Sequence, residues 1–149
     1  MIKLSDFIVK IEPKPLQRHR HFTRGKFSGS YDPSKSDKNK LCLLSAQYAP
    51  NKPFDCPLMV NYTFGFKRPK NHYRTGKNSH LLKKSVPTYH TQKPDKSNLE
   101  KLVEDAFNKL FWKDDSLIVC GNSQKIWTEL ESFIKIEIFK LHELKERGL

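Results

Sequence analysis

The chain's 149 residues fit one domain and are enough to bury a real core. Lys and Arg number 28 against 16 Asp and Glu, a net charge of +12, which suits a polyanion partner through counterion release and electrostatic steering. No stretch is apolar for long enough to act as a signal peptide or to span a bilayer. Cys42, Cys56 and Cys120 are odd in number and lack zinc or redox spacing, which argues against a disulfide scaffold and for reduced thiols in a cytosolic protein.

The charge is unevenly placed. Residues 1–90 carry 18 Lys/Arg and 5 Asp/Glu, net +13, whereas residues 91–149 carry 10 and 11, net −1. Taken in order, Phe7, Val9 and Ile11 alternate as an opening strand that ends at the Pro13 and Pro15 turn. Residues 17–36 are rich in Arg, Lys, His, Gly and Ser; Gly25 and Gly29 with Phe22, Phe27 and Tyr31 fit either a hairpin or a mobile loop. Arg18, Arg20 and Arg24 alternate and share one face if extended, as phosphate contacts would. His19 and His21 have no acidic or Cys partner at ligand spacing. Residues 36–49 read as a helix with Leu41, Leu44 and Tyr48 inward, stopped by Pro50 and Pro53. Residues 58–66 are the clearest strand, with Leu58, Val60, Tyr62, Phe64 and Phe66 on one buried face. Residues 67–89 form a second basic tract bearing Arg68, Lys70, Arg74, Lys77, Lys83 and Lys84, mostly loop, with a short helix over 79–84. His72, His80 and His90 read as ordinary loop residues.

The organising stretch follows, Lys93-Pro94-Asp95-Lys96-Ser97-Asn98-Leu99-Glu100-Lys101. Pro94 keeps the chain extended before a turn, and Ser97 with Glu100 has capping-box spacing, which starts a helix at Ser97. Leu99, Leu102, Val103, Ala106, Phe107 and Leu110 make its apolar stripe. Ser97, Glu100, Lys101, Glu104, Asp105 and Asn108 occupy the opposite face. Trp112-Lys113-Asp114-Asp115 then turns the chain into a long strand over 117–128, interrupted at Gly121-Asn122. A last strand covers 133–139, and residues 140–149 suggest a short terminal helix. With no internal repeat, the element order predicts a single α+β domain: a mixed sheet with helices packed mainly on one face.

The acid turn, helix and second acid turn resemble the signature of RusA-type Holliday junction resolvases, phage and prophage members above all. Pro94-Asp95, Asn98, Leu99, Lys101, Asp105, Trp112, Asp114 and Asp115 fall into that pattern; Ser97 stands where the family carries a second acid. The resemblance covers about residues 72–138 and, more weakly, 18–24. It implies a RusA-like domain over 1–149, with basic DNA-binding loops within 14–35 and 67–90 and a catalytic motif at 93–115. It further implies a homodimeric endodeoxyribonuclease that resolves four-way DNA junctions in the cytosol of a bacterium or a phage-infected host. The alternative is a non-catalytic protein that binds branched or single-stranded DNA through the same basic surface.

Carboxylates before phosphodiester chemistry point to Mg2+, with Mn2+ as a substitute, because a hard cation keeps its waters while taking carboxylate oxygens. Asp95 and Asp115 are the first-choice metal ligands and catalytic acids, on the expectation that the fold brings the two turns together. Asp114 is a third candidate that points elsewhere in one reading. Lys101 is the catalytic cation, or else a surface ion-pair partner of Glu104 or Asp105. Arg18, Arg20, Arg24, Arg68, Lys70, Arg74 and Lys77 are the DNA-binding set. Ser97 and Glu100 are auxiliary: either they cap the helix, or Glu100, Glu104 or Asp105 supplies the acid that Ser97 lacks.

Overall fold

The computed structural model describes residues 1–144. Its frame is a five-stranded sheet built from β1 (Ile2–Val9), β4 (Leu58–Lys67), β5 (Ile118–Cys120), β6 (Ser123–Thr128) and β7 (Phe133–Lys140). The order is β1-β7-β4, with β5 and β6 both lying along the far edge of β4. β7 pairs antiparallel with both neighbours, whereas β5 and β6 run parallel to β4, so the sheet is mixed. A separate hairpin, β2 (Arg20–Arg24) with β3 (Phe27–Tyr31), projects between β1 and the first helix. Gly25 at φ 60 opens its two-residue turn, a conformation that favours glycine. The hairpin reading of this segment is therefore correct.

Two helices cover one face of the sheet. α1 (Lys35–Ser45) and α2 (Lys96–Ala106) pack on each other and send Leu41, Leu99, Leu102 and Val103 into the core. From the sheet come Phe7, Val9, Val60, Tyr62, Phe64, Ile134, Ile136 and Ile138, all buried. Strand alternation places them together, with Tyr62 opposite Ile136 and Val60 opposite Ile138. Phe107, Phe111 and Trp112, each fully buried, continue the α2 stripe past the helix end. Full burial of one such large side chain is worth about 1.5–3 kcal/mol, so this aromatic knot fixes how the second acidic turn leaves α2. The Trp112 indole N–H also donates to the Glu104 carbonyl at 3.2 Å, and Lys113 and Phe54 exchange backbone bonds with Phe54 and Phe111 at 2.9 and 2.8 Å.

Several sequence expectations are corrected. The first strand starts at Ile2 and stops at Val9, so Ile11 lies beyond it. α1 ends at Ser45 and tightens into a 3-10 turn over Ala46–Tyr48. Leu44 and Tyr48 are exposed there, although the Tyr48 ring still stacks on Phe7 at 4.7 Å. No helix forms over 79–84. That tract instead makes 3-10 turns at Lys70–His72 and Gly76–Asn78, closed by a bridge between Tyr73 and Leu82. The strand over 117–128 is interrupted at Gly121-Asn122 as expected, forming β5 and β6 on either side, and Gly121, at φ 152, lies close against the Val60 carbonyl. A Cβ there would stand 1.8 Å from that oxygen. Of the expected terminal helix, Lys140 belongs to β7, residues 141–144 are not helical, and the rest lies outside the described residues.

Candidate active site

α2 begins two residues earlier than its capping-box spacing suggests, with its N-cap at Asp95 rather than Ser97. Asp95 is the N-cap, with extended backbone angles φ −68 and ψ 142, and its carbonyl accepts from the Asn98 and Leu99 amides at 3.1 and 3.2 Å. Its carboxylate makes no capping bond and is exposed. Ser97 is therefore already inside the helix. A hydroxyl reaches the first free amides only from the N-cap position, so the predicted Ser97–Glu100 box does not form. Glu100 instead accepts from the Lys96 ammonium one turn back, at 3.2 Å.

Asp95 faces a broad cavity of about 570 Å³ shared with Lys14, His90, Lys93 and Asn98. The turn that carries it is strapped to β6: the Lys125 ammonium donates to the Gln92 and Pro94 carbonyls at 2.6 and 2.8 Å. His90 is buried between Phe66, at 3.9 Å, and Trp127, at 4.5 Å. Burial, followed by the charge of Lys125, holds its imidazole below the usual pKa. It is a core histidine at the cavity wall rather than a free loop residue.

Beyond the first turn, Ser97, Glu100 and Glu104 recur at i, i+3 and i+7 and so share one side of α2. That side is not open to solvent throughout. β5 and β6 run past it, and a cavity of about 210 Å³ lies between them, lined by Glu100, Glu104, Val60, Tyr62 and residues 118–121 and 123. Glu104 is half-buried there, and its carboxyl is pushed up to about 7, first by burial and then by the negative charges of Glu100 and Asp115. The Tyr62 hydroxyl, directed at Glu104, pulls weakly the other way. It makes no hydrogen bond of ordinary geometry, although it is buried. Burial and the same two glutamates raise the phenol well above its ordinary pKa.

Asp114 and Asp115 have different fates. Asp114 caps the 3-10 turn Asp115–Leu117, accepting from the Ser116 amide at 3.2 Å and from the Ser116 hydroxyl. These bonds hold its carboxyl below the usual range. Asp115 is exposed, and its charge is felt at Glu104. Glu104 sits nine residues beyond Asp95, about 13 Å along the helix axis. Asp95 thus lines the larger cavity and Glu104 the smaller one. Among the described residues, no three His, Cys, Asp or Glu side chains converge as a metal-holding group; Asp95, Asp114 and Asp115 are not gathered into one.

Lys101 is exposed and, among the described residues, makes no ion pair. Of the partners suggested for it, Asp105 is held by Lys38 at 2.7 Å and Glu104 is turned inward. The cations of the two basic arms also divide. Arg18, Arg20 and Arg24 are exposed on and before the hairpin, Arg24 lying 5.9 Å over the Phe22 ring. Lys70 and Lys77 are exposed in the 3-10 turns. Arg68 and Arg74 brace their own loop, donating to the Pro87 and Leu82 carbonyls at 2.8 and 3.2 Å. Both arms are rooted beside the acids. Leu16 donates its amide to Asn98 of α2 at 3.0 Å, and β6 exchanges backbone bonds with Thr88 and His90 at 3.0 and 3.1 Å.

The residue that sequence reasoning undervalued is Tyr62. Alternation assigned it to the core, as it should, but nothing in a strand pattern announces that its hydroxyl ends beneath Glu104.

A family model for the endodeoxyribonuclease RusA matches residues 10–139. Among curated proteins, the Bacillus subtilis (strain 168) protein described as "Uncharacterized protein YqaN" is 30% identical over 125 residues, 83% of this chain and 87% of the relative.

Proposed function

This chain belongs to the RusA family of endodeoxyribonucleases, and from that premise we propose that it resolves four-way DNA junctions in recombination and repair, using Mg2+ with Mn2+ as a substitute. The observation that carries the reading is the extent of the family match, residues 10–139, which takes in both basic arms as well as both acidic turns. A DNA endonuclease of this kind acts in the cytosol of a bacterium or a phage-infected host.

Cutting a phosphodiester requires hydroxide at an anionic centre and a stabilised leaving oxygen, and a divalent ion on carboxylates supplies both when bound. The donor set suits such an ion. Asp95 and Asp115 are exposed, and neither carboxylate is engaged in a hydrogen bond or ion pair among the described residues. Asp114, already held by Ser116, serves to fix the turn that presents Asp115. Lys101, with no competing carboxylate, orients the scissile phosphate and offsets charge that develops on it. Arg18, Arg20, Arg24, Lys70 and Lys77 grip the duplex arms, and Arg68 and Arg74 add the guanidinium donors left over from bracing their loop. Since a junction has approximate two-fold symmetry, an isologous homodimer delivers two cuts without rebinding.

The test is a gel assay of a synthetic four-way junction with and without Mg2+, beside sedimentation at micromolar concentration. Paired symmetric nicks that need the cation, from a particle of twice the chain mass, are expected. Binding without cleavage under Mg2+ and Mn2+ would refute the resolvase reading, and a monomer even on the junction would refute the dimer.

A further inference from the structure

The hairpin that leaves the sheet carries more than charge. We propose that one face of the β2–β3 ribbon is a stacking platform for unpaired DNA bases. Phe27 and Tyr31 are its stacking rings, and Arg20 and Arg24 hold the adjoining phosphates. The inference deepens the resolvase reading and rests on it only for the source of those bases, the exchange point of a four-way junction.

Pairing register sorts the ribbon's side chains. Residues directly opposite each other in an antiparallel pair share a face, and so do alternate residues along a strand. Arg20 lies opposite Tyr31, Phe22 opposite Gly29 and Arg24 opposite Phe27. The ribbon's three Phe and Tyr rings and both its arginines therefore share one face, while His21, Thr23, Ser28 and Ser30 take the other. Neither strand pairs with the main sheet, and among the described residues none of the three rings belongs to the hydrophobic core. Phe27 is 66% exposed and Tyr31 49%, an aromatic surface that packing does not explain. Phe22 lies down across the ribbon instead: a Cβ at Gly29 would stand 2.8 Å from its ring, so the glycine is what makes room for it. That ring is 6.3 Å from the Phe27 ring and 5.9 Å from the Arg24 guanidinium, and it backs both.

Charge selects the occupant. Residues 17–31 contain Arg18, Arg20, Arg24 and Lys26 and no carboxylate, and the next acid, Asp32, is held by Lys38. The face therefore suits a polyanion that has apolar faces of its own. Single-stranded DNA is such a ligand: cations track its backbone while rings stack on its bases, whatever their sequence. A duplex keeps its bases stacked on one another and offers the hairpin its phosphates alone.

The experiment follows fluorescence anisotropy with the full-length protein, in EDTA so that nothing is cut, on labelled oligothymidylate and on a duplex of equal length. Wild type should bind both. Phe27→Ala should lose about 5- to 150-fold in single-strand affinity, the range that one stacked base supplies, while duplex affinity changes by less than about twofold. Phe27→Leu, apolar but not aromatic, should lose at least about fivefold on the single strand, whereas Phe27→Tyr should stay within about twofold. Phe27 is exposed, so these variants should fold; should they not, Tyr31→Leu at the ribbon's other end reads the same face. Equal losses on single strand and duplex would overturn the proposal, as would wild-type single-strand binding in Phe27→Ala or Phe27→Leu. So would a wild type that binds no single strand. A Phe27→Ala that sediments as a monomer beside a dimeric wild type would also overturn it, because the face would then belong to a second copy. The two readings fail separately. Unchanged single-strand binding in the Phe27 variants, beside wild-type junction cleavage with Mg2+, sinks only the stacking face. A selective single-strand loss in Phe27→Ala, beside a wild type that cuts no junction, sinks only the resolvase.

Discussion

Glu104 is a side chain whose replacement should stabilise the protein. Its carboxyl is raised from 4.5 to about 7 by burial and by the charges of Glu100 and Asp115. In the unfolded chain it ionises near the lower value, so below that pH both states are protonated and the group costs nothing. Between the two values the unfolded state releases its proton first, and stability falls as pH rises until the folded pKa is passed. At about 1.4 kcal/mol per tenfold change in proton affinity, the full penalty would reach about 3.4 kcal/mol. The side chain is half-exposed, however, and solvent screens both repulsions, which reduces the figure to about 1–2 kcal/mol. Glu104→Gln removes the charge and keeps the volume. In EDTA at pH 8 it should gain that amount, or about 2–8 °C in melting temperature for a chain of this size. At pH 4 the gain should vanish. Urea melts of both proteins at the two pH values test this. Equal stability at pH 8, or a gain that persists unchanged at pH 4, would mean that Glu104 is not a strained carboxylate and that its neighbours lie elsewhere.

Asp95→Asn and Asp115→Asn should abolish junction cleavage while leaving binding intact or tighter, since each removes a negative charge near phosphate; wild-type cutting rates with Mg2+ would contradict their roles. Arg20→Ala and Arg24→Ala should each flatten the log–log salt dependence of binding by roughly 0.9, as measured by fluorescence anisotropy, and an unchanged slope would demote the hairpin to a solvated surface. Arg74→Ala should in addition loosen the loop that its Leu82 contact braces, seen as faster proteolysis within 67–90. Ser97→Ala should change stability by less than about 0.5 kcal/mol, because Ser97 caps nothing; a loss of about 0.5–2 kcal/mol would restore the capping box.

Strong periodicities were legible. β4's alternation and α2's apolar stripe name residues that are buried: Val60, Tyr62, Phe64, Leu99, Leu102 and Val103 among them. Local polar spacing was less dependable. Ser97 and Glu100 satisfy the capping pattern, yet so does any serine three residues before a glutamate inside a helix, and only the extended backbone of Asp95 decides which residue is the cap. The break at Gly121-Asn122 was readable as a turn or bulge, but its cause, contact with the Val60 carbonyl, belongs to the parallel pairing of β5 and β6 with β4. Parallel partners are distant in sequence and leave no hairpin signal. The same pairing hid the second cavity. A helical wheel treats Glu100 and Glu104 as solvent-facing, and they stop being so only because two strands pass over that side of α2.

This arrangement resolves a tension in the charge pattern. A site that must hold polyanionic DNA and also concentrate carboxylates works against itself unless the two sets are separated yet rigidly related. Here the cations ride on arms that leave the sheet, and each arm is tied by backbone hydrogen bonds to an element that bears acids. The hairpin arm is joined to α2 through Leu16 and Asn98, and the 67–90 arm to β6 through Thr88 and His90. Lys125 then closes the frame by strapping the Asp95 turn to β6. Positions held by such bonds move together, so a phosphate gripped by either arm has a fixed relation to α2, as positioning catalysis demands.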